Sequence, residues 1–337
     1  GRIFSTSSLA AALAQTPSGT QSTFIPDVEI SLTATPAEVS LFSGQPTRVW
    51  TYQGTLLKGD PGSVQTIPGS YLGPVIRVRR GQNIRIHFTN ALPEATVVHW
   101  HGLRLPSEMD AHPRYLVDPG KTYVYEFQVR NRAGTYWFHP HPDGRTGPQV
   151  YQGMAGLLLV SDEEESTVRL PSGENDLPLV LQDRLFDAAN QLSYQRGGMM
   201  NGMDGVLGNR ILVNGKPDFT LSVATRAYRL RLLNGSNSRI YKLAWSDRTP
   251  MAVIGTDGGL LETPVWRDYV MLAPGERIEI VGDFHRLPVG AAVKLLSLGF
   301  SGTEGGMMSG GQSLPNGAPF TVMNVVATRK ERGGKFA

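Results

Sequence analysis

Apolar and polar residues alternate along much of the first half of the chain. Val28-Glu29-Ile30-Ser31-Leu32, Arg48-Val49-Trp50-Thr51-Tyr52, Ile76-Arg77-Val78-Arg79 and Ile84-Arg85-Ile86-His87-Phe88 place apolar side chains at every second position. That period lets a strand bury one face and wet the other. His87 lies opposite Ile84, Ile86 and Phe88 in this alternation and is expected on the polar face. Gly81-Gln82 reads as the turn between the last two strands. A further strand is expected from Thr96 to His101, then a loop from Pro106 to Pro113. Tyr123 to Val129 alternates again, Thr135 to His139 predicts another strand, and Gly153 to Val160 reads as a buried closing strand. The pattern is that of an antiparallel, all-β fold with one wet face.

The cadence then recurs. Thr220-Leu221-Ser222-Val223 leading to Tyr228 through Asn234 copies Val75-Ile76-Arg77-Val78 leading to Asn83 through Asn90. Leu272-Ala273-Pro274-Gly275 likewise copies Val117-Asp118-Pro119-Gly120. Two copies of one β-sandwich unit explain this repetition. The acidic run Asp162-Glu163-Glu164-Glu165, followed by Pro171-Ser172-Gly173, reads as a solvated hinge. The expected layout is an N-terminal extension over 1–26, one sandwich over 27–165, a second over 166–328 and a basic linker over 329–337. That linker should be open to a trypsin-like protease.

Composition narrows the function. At 337 residues the chain can bury two cores. A formal charge of +3 with 18% charged residues is too weak and dispersed to imply a nucleic-acid partner. No apolar run approaches the roughly 18 residues of a membrane span. With 39 Gly and 23 Pro, short strands joined by many turns are favoured over long helices. There is no cysteine, which excludes disulfides, thiolate metal sites and a cysteine nucleophile. Arg2, followed by the alanine-rich Leu9 to Gln15, reads as the end of an export signal and points to a periplasmic or secreted protein; a terminal helical turn is the plainer alternative.

Five of the seven histidines fall between Thr96 and Gly156. His99-Trp100-His101 and His139-Pro140-His141 share His-x-His spacing, which in a strand sends both imidazoles from one face. Two such pairs can aim four imidazoles at one point. Neutral imidazole suits copper, zinc, iron or nickel, and the lack of Cys argues against structural zinc or an iron–sulfur cluster. The plainer alternative is a pair of satisfied core histidines. His112 is read either as a residue behind the site or as a loop cap. Met199, Met200, Met203, Met307 and Met308 lie in glycine-rich loops, where thioethers suit Cu(I) but adaptable loop residues are the simpler reading. The second repeat carries only His285, in the loop Phe284-His285-Arg286-Leu287-Pro288, and is expected to space and pack.

His99-Trp100-His101-Gly102, Asp110-Ala111-His112-Pro113, Trp137-Phe138-His139-Pro140-His141 and Gly144 through Gly156 together resemble the first two copper motifs of multicopper oxidases, closest in flavour to the bacterial laccase and cuprous-oxidase branch. Leu212-Val213-Asn214-Gly215 and Arg231-Leu232-Leu233-Asn234 extend the resemblance into the second repeat. It implies two tandem cupredoxin-like Greek-key β-sandwich domains. It further implies that His99 binds the type 2 copper, that His101, His139 and His141 bind the type 3 pair, and that Asp110 relays protons to a trinuclear cluster reducing O2 to water. Two departures stand out. Asp143 occupies a position where relatives often carry another histidine, which suggests tuned surroundings. The family's third domain, with its His-Cys-His motif, is not in this sequence, so half the cluster's histidines and the type 1 copper are expected on a separate chain, a C-terminal cupredoxin domain. The implied reaction is one-electron oxidation of phenols or low-valent metal ions. The rival reading is a copper-binding or scaffold protein of the same fold without oxidase activity.

Overall fold

The computed structural model describes residues 23–194, 205–302 and 313–331. The segment read as an export signal, the five loop methionines and the tail beyond Glu331 lie outside the described residues.

The first half holds β1 (Val28–Val39), β2 (Thr47–Lys58), β3 (Val64–Gln65), β4 (Val75–Arg79), β5 (Asn83–Asn90), β6 (Val98–His101), β7 (Thr122–Gln128), β8 (Gly134–Pro140) and β9 (Gly156–Ser161). They form two sheets, ordered β2-β1-β5-β7 and β3-β4-β9-β8-β6. A short helix α1 (Thr146–Tyr151) lies between β8 and β9, and α2 (Glu163–Ser166) follows β9. The second half holds β10 (Asp176–Arg184), β11 (Arg210–Val213), β12 (Lys216–Pro217), β13 (Thr220–Ala224), β14 (Ala227–Asn234), β15 (Tyr241–Trp245), β16 (Met251–Thr256), β17 (Gly259–Arg267), β18 (Val270–Leu272), β19 (Arg277–Asp283), β20 (Ala292–Ser297) and β21 (Phe320–Arg329). Its sheets run β12-β11-β10-β14-β19-β16-β17 and β13-β21-β20-β15-β18. The expected all-β fold of two tandem cupredoxin-like sandwiches is borne out.

The repetition read from the sequence is topological. β1 lies parallel to β5 as β10 lies parallel to β14, and β4 lies parallel to β9 as β13 lies parallel to β21. The asparagines closing β5 and β14 do the same work. Asn90 Nδ2 donates to Glu94 O and Val117 O while Asn234 Nδ2 donates to Arg239 O and Leu272 O. In each copy the asparagine carbonyl accepts from the glycine of the later Pro-Gly turn, Gly120 or Gly275.

Three expectations are corrected. The sheets are mixed rather than purely antiparallel, and Gly81-Gln82 does not close a hairpin. β4 and β5 belong to different sheets, and Gly81, at φ +92°, carries the chain across with its N–H donating to Val129 O. Alternation fixes which side chains face inward but not which strand is the neighbour. The acidic run is also not simply solvated. Asp162, 8% exposed, accepts from Ala133 N–H and caps α2 through Glu165 N–H, while Glu165 meets Arg229.

Each sandwich has its own core. Ile30, Leu32, Ile86 and Phe88 from one sheet of the first half meet Trp100, Phe138 and Leu158 from the other. A third cluster joins the halves, with Trp137, Leu157 and Leu159 packed together with Val180, Leu212 and Leu233. This explains why β8 is buried at every position. Its Tyr136 and Phe138 fill the first core, while Thr135 and Trp137, on the opposite face, meet the second half.

Candidate metal centre

The site is built on β6 and β8. They pair antiparallel, with His99 opposite His139 and His101 opposite Trp137. Directly opposed residues share a face, so His99, His101, Trp137 and His139 project together while Trp100 and Phe138 point into the core. His141 follows just beyond β8, where its N–H donates to Val97 O. The sequence supplied the same-face spacing within each pair, and the register supplies the meeting of the two pairs.

The donor atoms of His99, His101 and His139 all lie within 4.8 Å of one another. The His99 ring centre lies 5.3 Å from that of His101, 5.1 Å from His139 and 5.3 Å from His141. His141 is exposed at the edge of the group. All four predicted imidazoles are thus brought together, three tightly and one flanking.

Hydrogen bonds aim the rings. His99 Nδ1 lies 2.6 Å from Asp110 Oδ1, so Nδ1–H donates to the carboxylate and Nε2 faces the other histidines as a lone pair. His139 Nδ1 lies 2.9 Å from Pro140 O, which fixes its free lone pair on Nε2. That Nε2 is 3.3 Å from His101 Nδ1. Two nitrogens sharing one tetrahedral ion, with bonds of about 2.0 Å, would be about 3.3 Å apart. The donor set therefore fits a first-row metal ion with neutral nitrogen ligands.

The surroundings of His101 and His139 keep those two rings neutral. Burial above all, then the Arg277 guanidinium, lowers His101 to about 4. Burial lowers His139 to about 3, although its bond to the Pro140 carbonyl pulls the other way. Burial works to raise Asp110, but the hydrogen bond and charge of His99, with N–H groups of Ala111 and Trp100, outweigh it and hold the carboxyl below its ordinary value. Asp110 also ties the Ser107–Met109 turn to the backbone of the first motif through Trp100 N–H.

Other candidates separate cleanly. His112 caps the Pro113–Tyr115 turn by accepting from Arg114 N–H and is exposed, which is the loop-cap reading. His87 Nε2 pairs with Glu29 on the outer face, as the alternation implied. Asp143 is exposed. His285 bonds Asp283 in the second half.

Three contributors were missed. Trp137 lies against His139 with ring centres 4.1 Å apart and against His101 at 5.1 Å. Gly275, from the second half, sits so close to the site that a Cβ there would be 3.5 Å from His101 Cε1. Arg277 donates to Thr135 O and acts on His101 electrostatically. The second half therefore forms one edge of the site instead of only spacing and packing. The sequence signal was the repeated Pro-Gly cadence at 274–275, which reads as repetition until the fold places it beside His101.

Comparison with known proteins agrees with this geometry. Residues 43–165 match the family model described as multicopper oxidase. The multicopper oxidase mco of Staphylococcus aureus is 37% identical over 230 residues, which is 68% of this chain and 51% of that protein. The cell division protein FtsP of Escherichia coli K12 is 37% identical over 227 residues, 67% of this chain and 47% of that protein. The chain thus spans about half the length of the curated relatives it matches. Among solved structures, the McoA multicopper oxidase of the hyperthermophile Aquifex aeolicus has a TM-score of 0.77 at 34% identity, covering 93% of this chain and 64% of that one. CueO of the lignin-degrading bacterium Ochrobactrum sp., a laccase-like multicopper oxidase with oxidase activity towards lignin model compounds, has a TM-score of 0.73 at 28% identity, covering 92% and 64%. Motifs, site and relatives agree: the chain belongs to the multicopper oxidase family.

Proposed function

We propose that this chain supplies four ligands to the trinuclear copper cluster of a laccase-like oxidase, with His99 at the type 2 copper and His101, His139 and His141 at the type 3 pair. The carrying observation is the convergence of imidazoles on one face of β6 and β8. Copper held there would cycle between Cu(II) and Cu(I) and pass single electrons to O2. The chain's own residues prepare that chemistry. Burial keeps His101 and His139 unprotonated and ready to ligate, Asp110 fixes the His99 tautomer, and the Asp110 carboxylate is the group that takes up and hands on protons at the type 2 side. With no cysteine in the sequence, the type 1 copper and the remaining imidazoles belong to a C-terminal cupredoxin domain outside these residues. The reductant is a phenol or a low-valent metal ion, a reading supported by the lignin-model activity of the Ochrobactrum relative. Such an oxidase would work in the periplasm or outside the cell; no helix among the described residues is long and apolar enough to cross a membrane.

Removing one type 3 ligand tests this. In the assembled oxidase, His101→Ala should abolish O2 uptake and the type 3 absorption, and should lower the copper bound per molecule; unchanged turnover would refute the ligand assignment. A second reading, a scaffold of the same fold without oxidase activity, is favoured by the similarity to proteins named for cell division. A partner bearing His-Cys-His decides for the oxidase, and its absence decides for the scaffold.

A further inference from the structure

The second sandwich carries a cavity of about 430 Å³, formed where the Phe284–Pro288 loop meets β15, β16 and β17. The oxidase reading uses none of its residues. Its walls include three aromatic rings. Trp245 is buried and meets Phe284 edge-on, with ring centres 5.6 Å apart. Trp266, on the edge strand β17, lines the same cavity yet leaves 54% of its surface in water. Besides His285, the ionisable groups of the lining are the carboxylates of Asp247 and Asp283 and the single guanidinium of Arg286. That local balance is negative in a chain whose formal charge is +3.

The polar groups are held in place. Asp247 Oδ1 accepts from Thr249 N–H at 3.0 Å, which fixes an exposed carboxylate at the cavity. Asp283 Oδ1 accepts from both His285 N–H and His285 Nδ1–H. In the neutral ring this tautomer leaves Nε2 as a lone-pair acceptor for a ligand N–H. Aromatic faces attract cations through the ring quadrupole, and carboxylates attract them through charge. A space of this size is in the range of small-molecule sites.

From this combination we infer that the cavity binds a small organic cation, an alkylammonium or alkylguanidinium group, between Trp266 and the carboxylates of Asp247 and Asp283. The alkyl part lies against the apolar side chains of β16 and β19, and the N–H groups face Asp247 and His285. The site is independent of the copper ligands, so the metal-free chain suffices to test it.

The probe is n-butylguanidinium, compared with its uncharged isostere n-butylurea by titration calorimetry. Butylguanidinium should bind saturably at one site per chain, and butylurea at least about tenfold more weakly. Trp266→Ala and Asp247→Asn should each weaken butylguanidinium at least about threefold, the lower range for a cation on an exposed ring. Both positions are largely in water, and circular dichroism melts of the variants should match the parent. n-Butylammonium separates the two cation types, since a guanidinium site holds it more weakly and a general amine site equally well. Equal affinity for butylurea would show an apolar cleft with no charge recognition and would overturn the inference. Absence of saturable binding, or unchanged affinity in both folded variants, would overturn it as well.

Discussion

His139 shows what the chain invests in its site. It is buried, its Nδ1 is bound to Pro140 O, and the native state holds its proton affinity down to about 3. A histidine depressed in this way contributes stability above its unfolded value near 6.5, and that stability is lost as pH falls toward the folded value, because the unfolded chain binds the proton first. His101, lowered to about 4, adds to the same window. Asp110 and Asp176, whose values are held below the carboxylate range, lose their contributions only at lower pH. Chelator-treated protein should therefore become less stable between pH 6.5 and 4.5, by up to about 1.4 kcal/mol per pH unit for His139. His139→Asn, which keeps a donor for Pro140 O, should flatten that slope in urea unfolding across the window; an unchanged slope would show that His139 does not titrate as assigned. The candidate positions were legible because the two-residue spacing is a local rule of strands. The partnership of Asp110 with His99 was legible only through family resemblance, since the Ser107–Met109 turn that folds it back carries no period.

β8 joins three functions in one strand. Its inner face fills the first core, its outer face meets the second half, and its end presents His139. Alternation along β1 and β5 revealed their inward faces, but β8 has no polar side to read, being buried throughout. Pairing was less legible than burial, because β4, β5, β8 and β9 are neighbours or strangers according to long-range contacts that no local pattern records. Phe138 opposite Gly156 on β9 is one such contact. A Cβ at Gly156 would fall 2.1 Å from Phe138 Cζ, and that ring is enclosed by Tyr52 and Trp100, with centres 5.3 Å away on each. The ring cannot retreat without moving the strand that carries His139. Gly156→Ala should cost about 1–3 kcal/mol by overpacking and lower the melting temperature by several degrees. Gly258→Ala, where a Cβ meets nothing within 4 Å, should stay within about 0.5 kcal/mol. Equal melts for the two variants would mean that β8 and β9 separate freely.

Across the whole molecule, the two sandwiches are joined by buried charge as well as by apolar packing. Glu279 on β19 has no exposed surface and accepts from Thr135 of the first half and from Arg229 and Arg231 of its own sheet. Arg231 continues to Asp176 and Arg229 to Glu165, so the connection between the halves is drawn into the same network. Nothing in the sequence marked this. In the sequence Arg229 and Arg231 only alternate with apolar neighbours, and they are buried because the other half covers them. Breaking one member of a buried charge network costs far more than the network contributes over an apolar replacement, since it leaves its partners desolvated and unpaired. Glu279→Gln should therefore destabilise the protein by about 3–5 kcal/mol. Thr135→Ala should cost about 1 kcal/mol, the scale of a single hydrogen bond. The double variant should depart from the sum of the two, because Thr135 and Glu279 share a contact. Urea unfolding followed by tryptophan fluorescence and by far-ultraviolet circular dichroism measures the cycle. Strict additivity would mean that Thr135 and Glu279 are not coupled, and that other contacts, among them the bond from Arg277 to Thr135 O, hold Gly275 and Arg277 against the histidines.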